Sequence, residues 1–402
     1  TNDKSKFLPV TPEILKGCHY KGGFDTVSIY LQNNPDSHFF ASKGLILGGS
    51  HSPSPLNRNA HCGDLSAVLL QNLNPLVNLI RVPDKKIILM DEWESKIKAI
   101  VESTWKTDVN SLSGVPSWML VLIKAVLQKT GSEYLTDVWP NMEVFFHGGI
   151  SFEPYRDQYK ALIPSDRMHY METYNASEGF FGLQDNPEEH SLLLMIDYSV
   201  FYEFIPINEV GEEHPTVLPL EAVEVGKNYA MVITTSGGLW RYQIGDTVRF
   251  TSLYPHKFVI SGRTKNFINA FGEELMVDNA DKAISRVCRQ TGAKVKEYTA
   301  APLFMLDKAK GRHQWMIEFE KMPPSLDDFA SLLDKTLQQL NSDYEAKRYK
   351  EISLQPLEIR VAREGTFYEW LRRKGKLGGQ HKIPRLSNDR TFIEELGKIC
   401  DL

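Results

Sequence analysis

The sequence predicts an α/β fold with a large, doubly wound first part that carries antiparallel strands near its end, and a smaller α+β part after it. Three observations carry this. Strand-like and helix-like stretches alternate up to about residue 180, the order of a doubly wound sheet. From residue 192 the texture changes to short strands joined by glycine turns, and after residue 265 helix and hairpin patterns restart with apolar faces of their own. At 402 residues the chain exceeds the size at which a single core keeps growing, so two domains are expected, with the boundary at 263–265.

Composition removes several classes of function. The 46 basic and 51 acidic residues are finely mixed and leave a net charge of -5, so no basic stripe marks a nucleic-acid partner. No apolar run reaches the length of a membrane span, and the start Thr1-Asn-Asp-Lys-Ser-Lys6 does not read as a signal peptide; no membrane partner is expected. Cys18, Cys62, Cys288 and Cys400 lie far apart without a Cys-x-x-Cys. That argues against zinc and for reduced thiols in a cytoplasmic protein.

Taken in order, residues 38–47 read as a strand ending at Gly48-Gly49-Ser50, before a Pro, Ser and Asn-rich loop. Asp64 is placed to cap a helix over 65–73. Asp91 is placed to cap another, whose Trp93, Ile97, Ile100 and Val101 recur at helical spacing. Pro116 opens a helix so apolar over 119–127 that it belongs in a core. A buried strand over 142–146 ends at His147-Gly148-Gly149, and a helix over 155–161 leads to Met168-His-Tyr-Met-Glu-Thr-Tyr-Asn-Ala-Ser-Glu-Gly179.

This last stretch gathers a ring (Tyr174), a hydroxyl (Ser177), a carboxylate (Glu178) and a tight turn (Gly179) within six positions. An ordinary polar turn has the same composition. A nucleotide, however, uses all of it: a ring covers a base, a hydroxyl reaches a phosphate, and a carboxylate holds magnesium against phosphate oxygens. Open α/β sheets bind ligands beyond the carboxyl ends of their strands, where both this stretch and His147-Gly148-Gly149 fall.

Strands over 192–197, 201–205 and 229–235 follow, and a glycine turn leads into 239–242 and Tyr242-Gln-Ile-Gly-Asp246. An aspartate there accepts both hydroxyls of a ribose or simply ends a turn. Beyond Ser261-Gly-Arg-Thr-Lys265 come a helix over 278–290, a hairpin over 295–320 turning at Lys310-Gly311, and a helix over 325–341. Gly378-Gly-Gln-His-Lys-Ile-Pro-Arg385 then sets two cations in a loop behind Arg372, Arg373 and Lys374; a solvated basic surface is the plain reading. For His147 a hydrogen bond to a backbone carbonyl is expected ahead of a substrate contact.

Four motifs occur in fixed order: Gly148-Gly149, Tyr174-x-x-Ser177-Glu178-Gly179, Gly238-Leu-Trp-Arg-Tyr-Gln-Ile-Gly-Asp246 and Gly262-Arg-x-Lys265. Together they resemble the adenylate-forming enzymes, and more closely the Gretchen Hagen three (auxin-responsive) family of acyl acid amido synthetases, over nearly the whole chain. The resemblance implies a large adenylate-forming α/β domain over 1–262 and a small mobile domain over 263–402. It assigns Tyr174 to adenine, Ser177 to a phosphate, Glu178 to magnesium and phosphate positioning, and Asp246 to the ribose. Gly148 and Gly149 line the adenine slot, and Arg263 closes on ribose or phosphate. Lys265 sits at the hinge and Lys382 contacts phosphate in the catalytic steps. Residues 1–9 look like the tail of the family's phosphate loop, with Lys6 at its lysine position, so the family's earlier helices are expected to be absent. Gln243 stands where the family usually has arginine and receives no role.

The activity implied uses ATP and magnesium. A small carboxylic acid is adenylated and its acyl group passes to an amino acid, releasing pyrophosphate and AMP. Thioester formation with coenzyme A and non-catalytic nucleotide binding are the alternatives.

Overall fold

The computed structural model describes residues 7–49, 51–53, 61–90, 92–153, 155–264, 267–268, 270, 273, 275–304, 311–348, 354–375 and 383–401. Twelve strands form one sheet. Its parallel half is β1 (Lys43–Ile46), β2 (Arg81–Val82), β3 (Val109–Gly114), β4 (Val144–Gly148) and β5 (His169–Ala176), in the order β2-β1-β3-β4-β5. Its antiparallel half is β6 (Gly179–Leu183), β7 (Leu192–Leu194), β8 (Val200–Pro206), β9 (Leu218–Pro219), β10 (Asn228–Thr235), β11 (Tyr242–Leu253) and β12 (His256–Arg263). From β5 it runs β6-β7-β12-β11-β10-β8-β9.

Alternation along the parallel strands decides what each face covers. Leu45, Leu112 and Phe145 bury on one face in the same cluster as residues of α3 (Trp93–Thr104), α4 (Pro116–Thr130) and α5 (Arg156–Leu162). Val144 and Met171 point to the other face and pack on Tyr30 of α1 (Lys21–Asn33). As expected, Pro116 is the first residue of α4, and Gly131, at φ 72°, ends it. The antiparallel half closes over its own interior of Phe181, Leu192, Phe204, Phe250 and Phe258.

Several local expectations change. The strand predicted from residue 38 begins only at Lys43, because 39–41 form a 3-10 turn whose carbonyls at His38 and Phe39 accept from Asn110 Nδ2. Asp64 stands at the N-cap of α2 (Leu65–Asn72), yet its side chain makes no capping bond. Asp91 lies outside the described residues; Glu92 caps α3, accepting from the N–H groups of Glu94 and Ser95. The buried strand expected at 142–146 is shifted to Val144–Gly148.

A second sheet follows, with β13 (Lys294–Phe304) and β14 (Gly311–Lys321) antiparallel and β15 (Glu358–Ala362) parallel to β14. The hairpin matches the prediction, though its expected turn at residue 310 falls outside the described residues. Trp315 and Met316 face opposite ways. Trp315 packs in a cluster with α6 (Val277–Thr291) and α7 (Leu326–Leu340), and Met316 with α8 (Thr366–Arg373) and α9 (Thr391–Cys400). Among the described residues no helix is long and apolar enough to cross a membrane.

Helix α1 is pressed onto β6 at one point. A Cβ on Gly22 would lie 2.4 Å from the ring of Phe180, which is 2% exposed, whereas one on Gly23 would meet nothing within 4 Å. Helix propensity alone favours alanine over glycine by about 1 kcal/mol at both. Gly23→Ala is therefore expected to stabilise the protein by about 0.5–1 kcal/mol, and Gly22→Ala to destabilise it by about 1–3 kcal/mol through overpacking. Urea unfolding of the two variants beside the parent measures both signs; a Gly22→Ala protein as stable as the parent would contradict the packing described.

Candidate active site

Strands β5 and β6 form a tight hairpin in which Ala176 pairs with Gly179, so Ser177 and Glu178 are its two-residue tip. The tip stands at the carboxyl end of the parallel strands and lines a cleft of about 2260 Å³. Tyr174, one turn of the pleat below, is buried. Its ring meets Phe181 edge-on at 5.0 Å and Phe258 at 6.1 Å. Its hydroxyl donates to Asp246 Oδ2. Burial, with Asp246 next, holds the phenol pKa well above its usual value, so the hydroxyl stays a donor.

The other oxygen of Asp246, Oδ1, is 2.9 Å from Arg263 Nε, and the two residues are paired across β11 and β12. Gly245 before it has φ 82°, a conformation open to glycine, inside β11 where Asp246 lines the cleft. Arg263 also donates from Nη2 to the Ile244 carbonyl at 3.3 Å. Three motifs far apart in sequence thus meet at one carboxylate.

Gly148 pairs with Thr173, and a Cβ on it would fall 2.3 Å from the Thr173 carbonyl oxygen; Gly149 has φ 85°. Both line the cleft as bare backbone. His147 departs from expectation. Its ring stacks on Phe152 at 4.2 Å, and Nδ1 is buried without a partner rather than bonded to a backbone carbonyl. Burial, then Arg156, lowers its pKa to about 3, so the ring is neutral.

Two residues not singled out from the sequence join the site. Glu172 pairs with His147 and shares a face of β5 with Tyr174. Its side chain lines the cleft, where burial pushes the carboxyl up to about 7; Arg156 pulls it down, and Asp278 and Glu153 add to the rise. An acidic residue alternating with the motif tyrosine on an otherwise apolar strand face was the available signal. His19 sits in a π-helical turn (Leu15–Tyr20), with Nδ1 2.9 Å from Asn175 Oδ1 and Nε2 buried without a partner. Nothing in its local sequence marks it.

The C-terminal part lines the same cleft. Arg385, read from sequence as one of two solvated cations, is instead mostly buried. Its Nη2 lies 3.0 Å from Tyr155 Oη and 3.3 Å from Glu297 Oε1, Tyr155 Oη donates to Glu297 at 2.7 Å, and the guanidinium covers the Tyr298 ring at 4.6 Å. Arg372, Arg373 and Lys374 do form a solvated, ion-paired surface, on Glu369 and Glu395. Gln243 is exposed. Lys6, Lys265 and Lys382 lie outside the described residues.

Models of three successive parts of one family match the chain: the GH3 family N-terminal domain over residues 1–168, the central domain over 193–263 and the C-terminal domain over 278–391. The chain belongs to the GH3 family. It is 30% identical over 318 residues to indole-3-acetic acid-amido synthetase GH3.4 of Arabidopsis thaliana, covering 71% of this chain and 51% of that one. It is 27% identical over 347 residues to the 4-substituted benzoates-glutamate ligase GH3.12 of the same plant, covering 77% and 59%. This GH3 chain thus spans about half the length of the curated relatives it matches. Its fold is that of the solved GH3.15 acyl acid amido synthetase, with a TM-score of 0.74 at 18% identity over 98% of this chain and 78% of that one. It also matches 2-hydroxyisobutyryl-CoA ligase in the postadenylation state, with a TM-score of 0.55 at 13% identity over 90% and 68%. These matches bear out the expected adenylate-forming α/β fold with a smaller C-terminal domain.

The raised pKa of Glu172 has a consequence for stability. Its carboxyl binds a proton more tightly folded than unfolded, so its contribution falls as pH rises from its ordinary 4.5 to about 7 and the loss is complete above that. Glu172→Gln is expected to gain on the parent by about 1–3 kcal/mol between pH 5 and pH 8. Urea unfolding of both proteins at the two pH values tests this, and parallel pH dependence would place the carboxylate in water.

Proposed function

We propose that this protein is an ATP-dependent acyl acid amido synthetase. The observation that carries the reading is the meeting of Tyr174, Asp246 and Arg263 beside two bare glycines, at the end of a sheet in a GH3 chain. A base, a ribose and a phosphate chain need these groups in this order. Gly148 and Gly149 admit the edge of adenine, Tyr174 lies against it, and Glu172 accepts from its exocyclic amine. Asp246 has lone pairs left on both oxygens for the ribose hydroxyls, and Arg263 neutralises charge beside it.

The chemistry has two steps. A substrate carboxylate oxygen attacks the α-phosphorus of ATP, the bond to the bridging oxygen breaks and pyrophosphate leaves. The amine of an amino acid then attacks the acyl carbon, the bond to AMP breaks, and the amine gives up a proton. Ser177 donates to a phosphate oxygen. Magnesium, when bound, offsets the charge on the triphosphate. A single half-buried carboxylate at the hairpin tip suits an ion that keeps few protein ligands, and Glu178 is that carboxylate. Lys6 and Lys382 act on phosphate, as the family pattern implies.

The reading includes a division into residues 1–262 and a mobile 263–402, with Lys265 at the hinge, since two steps of different geometry suit a domain that reorients. It includes action in the cytoplasm; Cys18, Cys288 and Cys400 are free thiols.

ATP–pyrophosphate exchange with a panel of carboxylic acids, followed by amide formation with amino acids, tests the activity in the full-length protein. Exchange with no acid would refute it, and dependence on coenzyme A would move the second step to thioester formation. Within that assay Asp246→Ala is expected to weaken ATP and AMP alike, by about tenfold or more, because both carry the ribose and a charged acceptor contributes about 1.5–3 kcal/mol per hydrogen bond. Equal nucleotide affinity in variant and parent would remove Asp246 from the site.

A further inference from the structure

One buried cation of the cleft has no part in the steps above. Arg81 opens β2 at the edge of the parallel half, in register with Gly44, and through it with Ser111 and Val144. Residues paired in register share a face, so this row looks away from Leu45, Leu112 and Phe145 and toward the α1 side. The side chain is 6% exposed and lines the cleft. A guanidinium has five N–H donors. Here Nη1 donates to the Pro83 carbonyl at 3.3 Å and Nη2 to Asn78 Oδ1, while Nε is buried without an acceptor.

Both acceptors are neutral. Among the described residues no carboxylate forms an ion pair with Arg81; Asp84 acts on it only through space, its own carboxylate accepting from the Lys86 N–H at 2.8 Å. A buried guanidinium with one N–H unmet and only neutral acceptors in hydrogen-bond contact is costly, so the fold holds this one at a loss unless something arrives to meet it. The floor beside it is kept low: a Cβ on Gly44 would lie 2.9 Å from Ser111 Oγ. Phe40, Leu73 and Val77 line the same cleft with apolar surface. Arg81 stands three strand spacings, about 14 Å, from Val144 of β4, and Gly148 lies four residues, about 13 Å, further along that strand.

We propose that Arg81 receives a second carboxylate at the far end of the acyl substrate, so that the acid activated here is an elongated dicarboxylic acid. One carboxylate reacts with the α-phosphate beyond the end of β4, an apolar body runs back along the sheet and across β3 and β1, and the distal carboxylate stays intact on the guanidinium as a charge-assisted pair. The inference rests on the amido synthetase reading and narrows its acid.

The test compares straight-chain dicarboxylic acids with monocarboxylic acids of equal length, by pyrophosphate exchange and by calorimetric binding, in the parent, Arg81→Met, Arg81→Lys and Asn78→Ala. The parent is expected to favour the diacid by about ten- to a hundredfold in kcat/KM and in affinity. Arg81→Met reverses this, losing the diacid by that factor and gaining on the monoacid. Arg81→Lys and Asn78→Ala keep the preference for the diacid. A parent without preference overturns the proposal, as does an Arg81→Met protein that loses both acids equally, which would make Arg81 a purely structural anchor. Diacid binding that depends on Arg81 without any exchange would sustain the site while refuting the amido synthetase reading.

Discussion

Asp246 has two carboxylate oxygens, and the fold claims both. Strands β5 and β11, which bring Tyr174 and Asp246, are four places apart in the sheet, with β6, β7 and β12 between them. In a flat sheet that is about 19 Å, far beyond the reach of a tyrosine hydroxyl. The bond therefore exists only because the antiparallel half curls back over its aromatic interior of Phe181, Phe250 and Phe258. Curl, aromatic packing and the tyrosine–aspartate contact are one constraint seen from three sides. Relaxing any of them would carry the hairpin tip with Ser177 and Glu178 away from Asp246.

Much of this was legible in the sequence because it depends on local pattern. Strand, helix and turn alternation gave the two-part α/β architecture, Pro116 marked a helix start, and Gly148 does end its strand, whereas Asp246, expected at a strand end, lies inside β11. What was not legible depends on register and curl. That Tyr174 touches Asp246, 72 residues away, follows from strand order in the closed half, which no window of sequence contains. Glu172 was passed over because what sets it apart is burial, together with Arg156, Asp278 and Glu153 brought up from elsewhere in the chain. Arg385 misled for the opposite reason: a loop rich in glycine and cations reads as solvated, while its true partners, Tyr155 and Glu297, come from two other elements.

The molecule treats buried charge in two ways. Where a charge serves structure it is paired: Arg385 has Glu297 and Tyr155, and Arg348 has Asp334 at 2.9 Å. Where the cleft opens, polar groups are left wanting, as with His147 Nδ1, His19 Nε2 and Arg81 Nε. The first set joins Tyr155 to the second sheet at Glu297 and ties two helices of the C-terminal part to each other. Leaving the second set unsatisfied keeps hydrogen-bonding capacity in a place from which water is partly excluded, where each such bond is electrostatically stronger than at the surface.

The twelve-stranded sheet is bounded at each end by a strand of two residues, β9 (Leu218–Pro219) on one side and β2 (Arg81–Val82) on the other. Proline ends the first and Pro83 follows the second. A sheet this wide would ordinarily offer another chain two long ladders of open backbone groups to pair with, the template on which strands add and aggregates grow. Two-residue borders closed by proline give an incoming strand almost nothing to register against. The breadth that lets one sheet span both Asp246 and the distant Arg81 therefore comes with short borders at both of its ends.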